Sequence, residues 1–374
     1  MFFTYKLRNF NIRLLCYVVV LNIIGILVIG SASNGDPAYM RKQILGAILG
    51  VFVAVVLGFM DYHQLLKTYG VVYIGSVVLL TAVLLVGDSG GGARRWVELP
   101  MIGRFQPSEF AKIGMVLFFA WFFDKNQEKI NRPAVVAMAV ALFATLLVLI
   151  LAEPDLSTSV ICVFIFVCMI YTAGISYRWI FGTIGVMIPL AMGFLYLLQY
   201  DMVPFLRGYQ ANRILAWIGN GSEQFADANR QQQNSIMAIG SGMLNGKGLN
   251  NNTLASVKNG NFLSEEHTDF IFAVIGEELG FKGSILVIVL YALIVLECIF
   301  LAQRSKDMAG RLICVGIASL LCVQSFTNIA VATGLFPNTG LPLPFISYGV
   351  SSLFSLYAGI GLVLNVGLQK KTSN

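Results

Sequence analysis

Histidine is nearly missing from this chain: His63 and His267 are the only two in 374 residues, far apart in sequence, which argues against a His-based zinc site. Charge is scarce too. Asp, Glu, Lys and Arg together make up 12% of the chain, so any local concentration of charge calls for a reason. The six cysteines, Cys16, Cys162, Cys168, Cys298, Cys314 and Cys322, all fall inside apolar runs with no CxxC spacing. A disulfide framework and a redox pair are thereby excluded, and the thiols read as packing residues. A basic start precedes the first apolar run, yet no small-residue cleavage pattern closes it. Ser31-Ala32-Ser33 is the nearest approach, so the run reads as a retained span.

Long apolar runs, by contrast, are abundant. The chain is 57% hydrophobic, and the runs repeatedly reach the roughly 20 residues that a helix needs to cross a bilayer of about 30 Å. The expected fold class is an all-α polytopic integral membrane protein, one domain over 1–374. Its ten predicted transmembrane helices lie near 12–32, 43–60, 67–86, 108–123, 134–152, 156–173, 178–198, 268–300, 311–334 and 348–367. Ten spans put both termini on one side. With that side inside, the inner segments hold thirteen Lys and Arg, whereas the short outer loops hold five, Arg41, Lys42, Arg94, Arg95 and Arg104. The positive-inside rule then makes both termini cytoplasmic. The net charge of +6 is largely this topology signal. It points to anionic membrane lipid and not to nucleic acid.

Polar residues concentrate on the opposite, outer side. The run Glu265–Gly280, EEHTDFIFAVIGEELG, sets five carboxylates around His267. Carboxylates at the mouth of a membrane helix are costly unless they pair, bind or do chemistry. Asp269 shares a small-residue face with Ala273, Gly276, Gly280 and Gly283 at 100° per residue. Such a face suits close helix packing or a groove that admits lipid. Glu278 and Lys282 stand four residues apart and are expected to pair; Glu277 has no evident partner in sequence. A second cluster holds Arg94, Arg95 and Trp96, then Gln106-Pro107-Ser108-Glu109-Phe110-Ala111-Lys112. Ser108 is expected to cap the next helix, with Glu109 and Lys112 sharing a face. That pairing is either self-neutralising or leaves positive charge for an anionic headgroup, with Trp96 anchored at the interface. In the third, Glu153-Pro154-Asp155, the proline stops a helix and both carboxylates are expected to cap the next. The fourth, Pro337 to Gly349, carries three prolines, which place non-helical backbone at membrane level. One shared polar cavity opening outward accounts for all four.

A large outer loop, about 199–267, completes that side. Arg213-Ile-Leu-Ala-Trp217 has the spacing of a short interfacial helix, and Gln224–Gln233 is rich in Gln and Asn. Gly240–Gly248 resembles a phosphate loop, but Ser241 and Gly248 occupy the positions where a Walker A motif needs Gly and Ser or Thr. A tight turn with positive-φ glycines is one reading. Backbone amides with Lys247 on a lipid phosphate is the other.

EEHTDFIFAVIGEELGF, with QPSEFAK, GARRW, PDL, AIGSGMLNGKGL and FPNTGLPLPFISYG, resembles the shape, elongation, division and sporulation (SEDS) family, whose members include RodA, FtsW and SpoVE. The likeness runs from the first span to Leu368. It implies a peptidoglycan glycosyltransferase that polymerises lipid II into a glycan strand at the outer face of the bacterial cytoplasmic membrane, in cell-wall synthesis for shape or division, beside a class B penicillin-binding protein. The family's essential aspartate maps onto Asp269, and its Glu and Lys onto Glu109 and Lys112.

The residue types suit that chemistry. A carboxylate, Asp269, takes the acceptor hydroxyl's proton as general base, or instead holds a divalent cation such as Mg or Mn; the sequence leaves both roles open. Cations near the departing pyrophosphate would stabilise its charge, with Arg94, Arg95, Lys112, Arg213 and Lys247 as candidates and Glu109 orienting Lys112. Trp96, Asp155, His267 and Ser347 complete the substrate-binding candidates. Direct displacement would invert the anomeric centre. The chain departs from the usual family pattern at Val350 after Ser-Tyr-Gly, Ser264 before the acidic run, Gly240-Ser-Gly-Met in place of a Gly-Gly pair, and Glu153 where Gln is common. The alternatives are a lipid II flippase, which would need a polar route open to both faces, and a non-catalytic scaffold for the penicillin-binding protein.

Overall fold

The computed structural model describes residues 10–33, 36–90, 93–99, 103–199, 226–250 and 266–369. Its helices are α1 (Ile12–Ala32), α2 (Pro37–Phe59), α3 (Tyr62–Lys67), α4 (Tyr69–Val86), α5 (Pro107–Lys125), α6 (Pro133–Ala152), α7 (Leu156–Thr172), α8 (Tyr177–Gln199), α9 (Ala226–Ser241), α10 (Ile271–Gln303), α11 (Met308–Ala332) and α12 (Val350–Leu368). By length and composition, seven of these, α1, α2, α4, α6, α10, α11 and α12, can cross a membrane. The spans predicted at 108–123, 156–173 and 178–198 are helical too, as α5, α7 and α8. Glu109, Lys112, Asp124 and Lys125 lie on α5, and α7 has 17 residues, so neither passes a test of length and apolarity alone.

Local chemistry sets the ends. Asp36 accepts from Ala38 N at 2.9 Å, with Pro37 in the first turn, which starts α2 six residues before the predicted 43. The span predicted at 67–86 is α4, which begins at Tyr69, with Thr68 separating it from the short α3 before it. Ser108 does not cap α5: the helix begins at Pro107 with Gln106 as the flanking residue. Pro107 has no amide hydrogen to satisfy, so the first helical position suits it.

The all-α expectation misses a small sheet between α4 and α5. Strands β1 (Asp88–Gly90), β2 (Ala93–Leu99) and β3 (Gly103–Phe105) form an antiparallel order β1-β2-β3. Val97 lies opposite Phe105, and Asp88 opposite Trp96 with an irregularity before Ser89. The segment is too short and too polar to span a bilayer, and hairpin pairing satisfies its backbone instead.

Small residues decide which helices touch. The buried residues of α2 are Gln43, Gly46, Gly50, Ala54 and Gly58, a four-residue repeat that lays one narrow face against α12. A Cβ on Gly50 would overlap the Tyr357 ring, and one on Gly361 would come within 2.8 Å of Ala54 O. Gly50→Val is therefore expected to cost about 3 kcal/mol or more. Fluorescence-detected size exclusion should show most of the protein aggregated, with Gly70→Val, where a Cβ meets nothing within 4 Å, as the control that stays monodisperse.

Helix α9 takes up part of the Gln- and Asn-rich loop and closes the end of α11. Gln232 Nε2 donates to Val331 O at 2.9 Å and Phe336 O at 2.6 Å, and Ser235 Oγ donates to Ala332 O at 2.8 Å. The Val331 and Ala332 carbonyls are among those that a helix end leaves without intrahelical partners. The interfacial helix expected around Arg213 lies outside the described residues.

Candidate active site

Side chains of α1, α2, α7, α10, α11 and α12 meet the proline-broken segment 337–349. No helix forms there, as its prolines require, and side chains from the surrounding helices receive its backbone. Asn22 Nδ2 donates to Phe345 O at 3.1 Å, Gln43 Nε2 to Ser347 O at 3.3 Å, Gln324 Nε2 to Pro342 O at 3.0 Å, and Tyr291 Oη to Pro344 O. Phe345 sits at φ 62°, a left-handed conformation that a non-glycine residue adopts only where its surroundings hold it. Gly25 permits the approach of α1, because a Cβ there would stand 2.7 Å from Ile346 Cα.

Upon this segment rests the turn that carries Asp269. Tyr348 N donates to His267 O at 2.9 Å and Ser347 Oγ to Thr268 O at 2.5 Å, while Ser347 Oγ accepts from Leu343 N at 2.7 Å. Asn328 Nδ2, from α11, donates both to Asp269 O at 2.8 Å and to Leu341 O at 2.6 Å. The His267 ring meets Tyr39 edge-on at 4.9 Å and Tyr348 at 5.8 Å. Glu266 is buried, whereas His267, Thr268 and Asp269 are partly exposed. A carboxylate is thus presented on a turn whose backbone is pinned by α11 and by the proline-broken segment.

Glu109 and Lys112 pair as the sequence indicates, but not at the surface. Lys112 Nζ donates to Glu109 Oε1 at 2.8 Å and Gln324 Oε1 at 3.0 Å, and Ser355 Oγ donates to Glu109 Oε2 at 3.3 Å. Lys112 is 0% and Glu109 1% exposed. The expectation that Lys112 faces a lipid headgroup is therefore corrected. Turned into the bundle, the ammonium is neutralised there and, among the described residues, reaches the 337–349 segment through Gln324.

Arg95 and Asp155 do come together, at the mouth between β2 and α7. Arg95 Nε donates to Glu153 O at 3.2 Å, another guanidinium nitrogen donates to Pro154 O, and a third stands 4.0 Å from Asp155 Oδ1. Asp155 caps α7, accepting from Thr158 N at 3.1 Å, while Gln106 Nε2 donates to its other oxygen at 3.4 Å. Ser157 Oγ donates to Thr339 O at 2.6 Å and ties this cluster to the proline segment. Among the described residues Glu153 caps nothing: it is 0% exposed, and neither carboxylate oxygen has a hydrogen-bond partner there. Burial beside Asp155 pushes its carboxyl up to about 8, with Arg95 opposing the shift. Trp96 is partly buried in β2. Of Arg94 only the backbone in β2 belongs to the description, and Arg213 lies outside the described residues.

Lys247 is met by a protein carboxylate. Its Nζ lies 2.7 Å from Glu277 Oε1, which supplies the partner that sequence could not name for Glu277. The glycine-rich turn around it splices a break in α10. Gly280 adopts φ 66°, ψ −165°, and there Lys247 N donates to Glu277 O, Gly248 N to Glu278 O and Phe281 N to Met243 O at 2.8–2.9 Å. A Cβ at Gly246 would collide with Glu278 O, and its φ is 77°, so glycine is required for both reasons. The break also overturns the expected Glu278–Lys282 pair. With Gly280 non-helical between them, the two are no longer one turn apart on one face; Glu278 accepts from Ser31 Oγ and Lys282 donates to Asn245 Oδ1 at 2.8 Å.

Gln324, Asn328 and Ser355 are additions that no motif singled out. Two amides four residues apart in an apolar span are the signal that was there to read. Among the described residues no three His, Cys, Asp or Glu side chains converge as a protein-only metal cage would need.

The arrangement can be set beside known proteins. The FTSW_RODA_SPOVE family model, described as cell cycle protein, matches residues 12–372. The probable peptidoglycan glycosyltransferase FtsW of Geobacter metallireducens is 34% identical over 98% of this chain and 96% of its own length. Peptidoglycan glycosyltransferase MrdB of Escherichia coli is 33% identical over 96% and 93%. Among solved structures, a chain from a peptidoglycan synthase complex that coordinates polymerization and crosslinking has a TM-score of 0.77 at 29% identity, covering 96% of this chain and 97% of that one. The rod shape determining protein RodA of Thermus thermophilus gives 0.69 at 28%, covering 97% and 98%. With the match running through nearly every element that builds the Asp269 turn and its supports, this chain belongs to the FtsW, RodA and SpoVE family.

Proposed function

We propose that this chain is a peptidoglycan glycosyltransferase that polymerises lipid II, and that Asp269 is its general base. The observation that carries the reading is the Asp269 turn: a partly exposed carboxylate whose backbone is fixed by the Asn328 side chain, the Ser347 hydroxyl and Tyr348 N, in a chain whose relatives over nearly their whole length are named for that activity. The acceptor sugar hydroxyl attacks the donor's anomeric carbon, its proton passes to the Asp269 carboxylate, and the bond to the lipid pyrophosphate breaks with its electron pair on the departing oxygen. Attack opposite the leaving group inverts the anomeric centre. A proton acceptor within reach is worth about 10²–10⁴-fold in such a step.

Arg95 is the described cation best placed to face anionic substrate, being partly exposed and beside Asp155; Trp96 and His267 are partly exposed as well, whereas Ser347 is buried and acts by holding the Asp269 turn. Lys247 is paired with Glu277 and acts by holding the α10 break. A divalent cation, Mg or Mn, would be held by Asp269, whose oxygens are the ligands that hard cations take. In that place it would neutralise the departing charge. The charge count of the loops supports cytoplasmic termini and an outward-facing site in the bacterial cytoplasmic membrane. Membrane lipid surrounds the bundle, the nascent glycan strand is the second substrate, and the likeness to a synthase complex supports a class B penicillin-binding protein as partner. A flippase would need a polar route along the bundle. Below Lys112, α5 instead fills its interior with Phe118, Phe119, Phe122 and Phe123, packed on Phe143 and Phe166, before Asp124 closes the far end by accepting from Ala309 N at 3.1 Å.

Purified protein, with and without its penicillin-binding protein, is to be incubated with lipid II and Mg²⁺ and its products resolved on a gel, any partner glycosyltransferase being blocked. Glycan strands from the wild type that vanish in folded Asp269→Ala are the expected outcome. Strands of equal yield from both would remove Asp269 from the reaction, and none from either folded protein would remove the polymerase reading.

A further inference from the structure

The buried amides of α11 do something that neither motif nor likeness assigns. Asn328 is 1% exposed, and its amide nitrogen spends both hydrogens on backbone carbonyls, one on Asp269 and one on Leu341 in the proline-broken segment. Its own Oδ1 is buried with no hydrogen-bond partner among the described residues. Buried polar atoms are nearly always satisfied, so an amide that leaves its acceptor orphaned while using both donors is oriented by what the donors hold. One turn earlier on the same face, Gln324 accepts from Lys112 through Oε1 and donates to Pro342 O through Nε2. A continuous path thus runs from the Glu109–Lys112 pair through Gln324, the Leu341–Pro342 backbone and Asn328 to the main chain of Asp269.

We propose that Asn328 is a positioning residue for the reaction, fixing the Asp269 peptide against the proline-broken segment so that the carboxylate meets the acceptor hydroxyl in one orientation. The proposal rests on the reading of Asp269 as base. The carbonyl held is Asp269's own, one bond from its Cα, so loss of this contact frees the rotation that aims the carboxylate. A displacement of about 1 Å at a reacting group is enough to lower a rate about 100-fold. Binding of substrate elsewhere in the site should change little.

The test compares the full chain in detergent, wild type, Asn328→Asp, Asn328→Ala and Asp269→Ala, with lipid II as substrate. Asn328→Asp keeps the size and shape but has no donor when ionised, so it separates the contact from cavity formation. We expect kcat to fall about 10- to 100-fold in both Asn328 variants with KM within about twofold, and hydrogen exchange to rise in peptides covering 268–273 without a rise in α5 or α12. Asn328→Gln, which restores two donors displaced by one methylene, should fold and recover part of kcat; it serves as the deciding variant should the other two fail to fold. Unchanged kcat in a folded Asn328 variant, or exchange that rises equally throughout the bundle, would overturn the proposal. Activity retained by Asp269→Ala would sink the general-base reading instead, while the exchange pattern would still report whether Asn328 holds the turn.

Discussion

Replacing Lys112 by alanine is expected to destabilise the protein by about 3–5 kcal/mol, because it leaves the Glu109 carboxylate buried without its cation. Lys112 is wholly enclosed, and its ammonium is satisfied by Glu109 Oε1 at 2.8 Å and Gln324 Oε1 at 3.0 Å. Thermal unfolding in detergent should show the loss as a markedly lowered Tm. The double substitution Glu109→Gln, Lys112→Met removes both charges at similar volume, and exchanging a buried ion pair for neutral groups is often close to neutral in stability. It should therefore return Tm to near the wild-type value. Polymerisation is expected to stay low in the double variant, because Gln324, which donates to Pro342 O, loses the ammonium that fixes its Oε1. Recovery of activity along with stability would make the pair a packing element only. A single variant as stable as the wild type would contradict the burial itself.

Glu153→Gln is expected to stabilise the protein above neutral pH. The folded carboxyl is pushed up to about 8 from an ordinary value of 4.5, and each unit is worth about 1.4 kcal/mol. The folded chain therefore holds a proton that the unfolded chain releases. Stability is fully present below about pH 4.5, falls as pH rises, and has lost its last increment once pH passes about 8. Several kcal/mol is the order of that loss, since the carboxyl is enclosed, has no partner on either oxygen and faces Asp155 with only Arg95 in compensation. Gln keeps the shape and cannot ionise. Melting curves at pH 6, 7, 8 and 9 should show the Gln variant gaining over the wild type with each step up to about pH 8 and then holding a constant advantage of several degrees. Parallel wild-type and variant profiles would mean that Glu153 titrates normally.

Much of the site was legible because it was written in local chemistry. Long apolar runs specified ten helical segments, since a bilayer admits few other ways of satisfying a backbone. Pro337, Pro342 and Pro344 forbade a helix wherever the chain went afterwards, and Asp155 three residues before Thr158 N was a cap by position alone. The i, i+3 spacing brought Glu109 to Lys112 because helix geometry fixes that distance. What the spacing did not specify is which side of α5 faces inward, and so whether the pair meets lipid or the core. The Glu278–Lys282 pair failed for a related reason. Its spacing assumes an unbroken helix, and the Gly280 break exists only because the 242–248 turn arrives to supply the missing backbone partners.

Determined by the sequence itself, then, were the membrane class, the approximate spans, the proline-broken segment and the identity of Asp269 as an unusual carboxylate. Those depend on hydropathy, on proline's missing amide hydrogen and on the cost of charge in an apolar run, all properties of neighbours along the chain. Only the tertiary structure decided that Lys247 answers Glu277, that Glu153 is enclosed without a partner, and that Asn328 reaches across 59 residues to the Asp269 carbonyl. Each of those is a contact between segments distant in sequence, where the choice among many donors and acceptors of equal chemistry is made by which backbones small residues allow to approach.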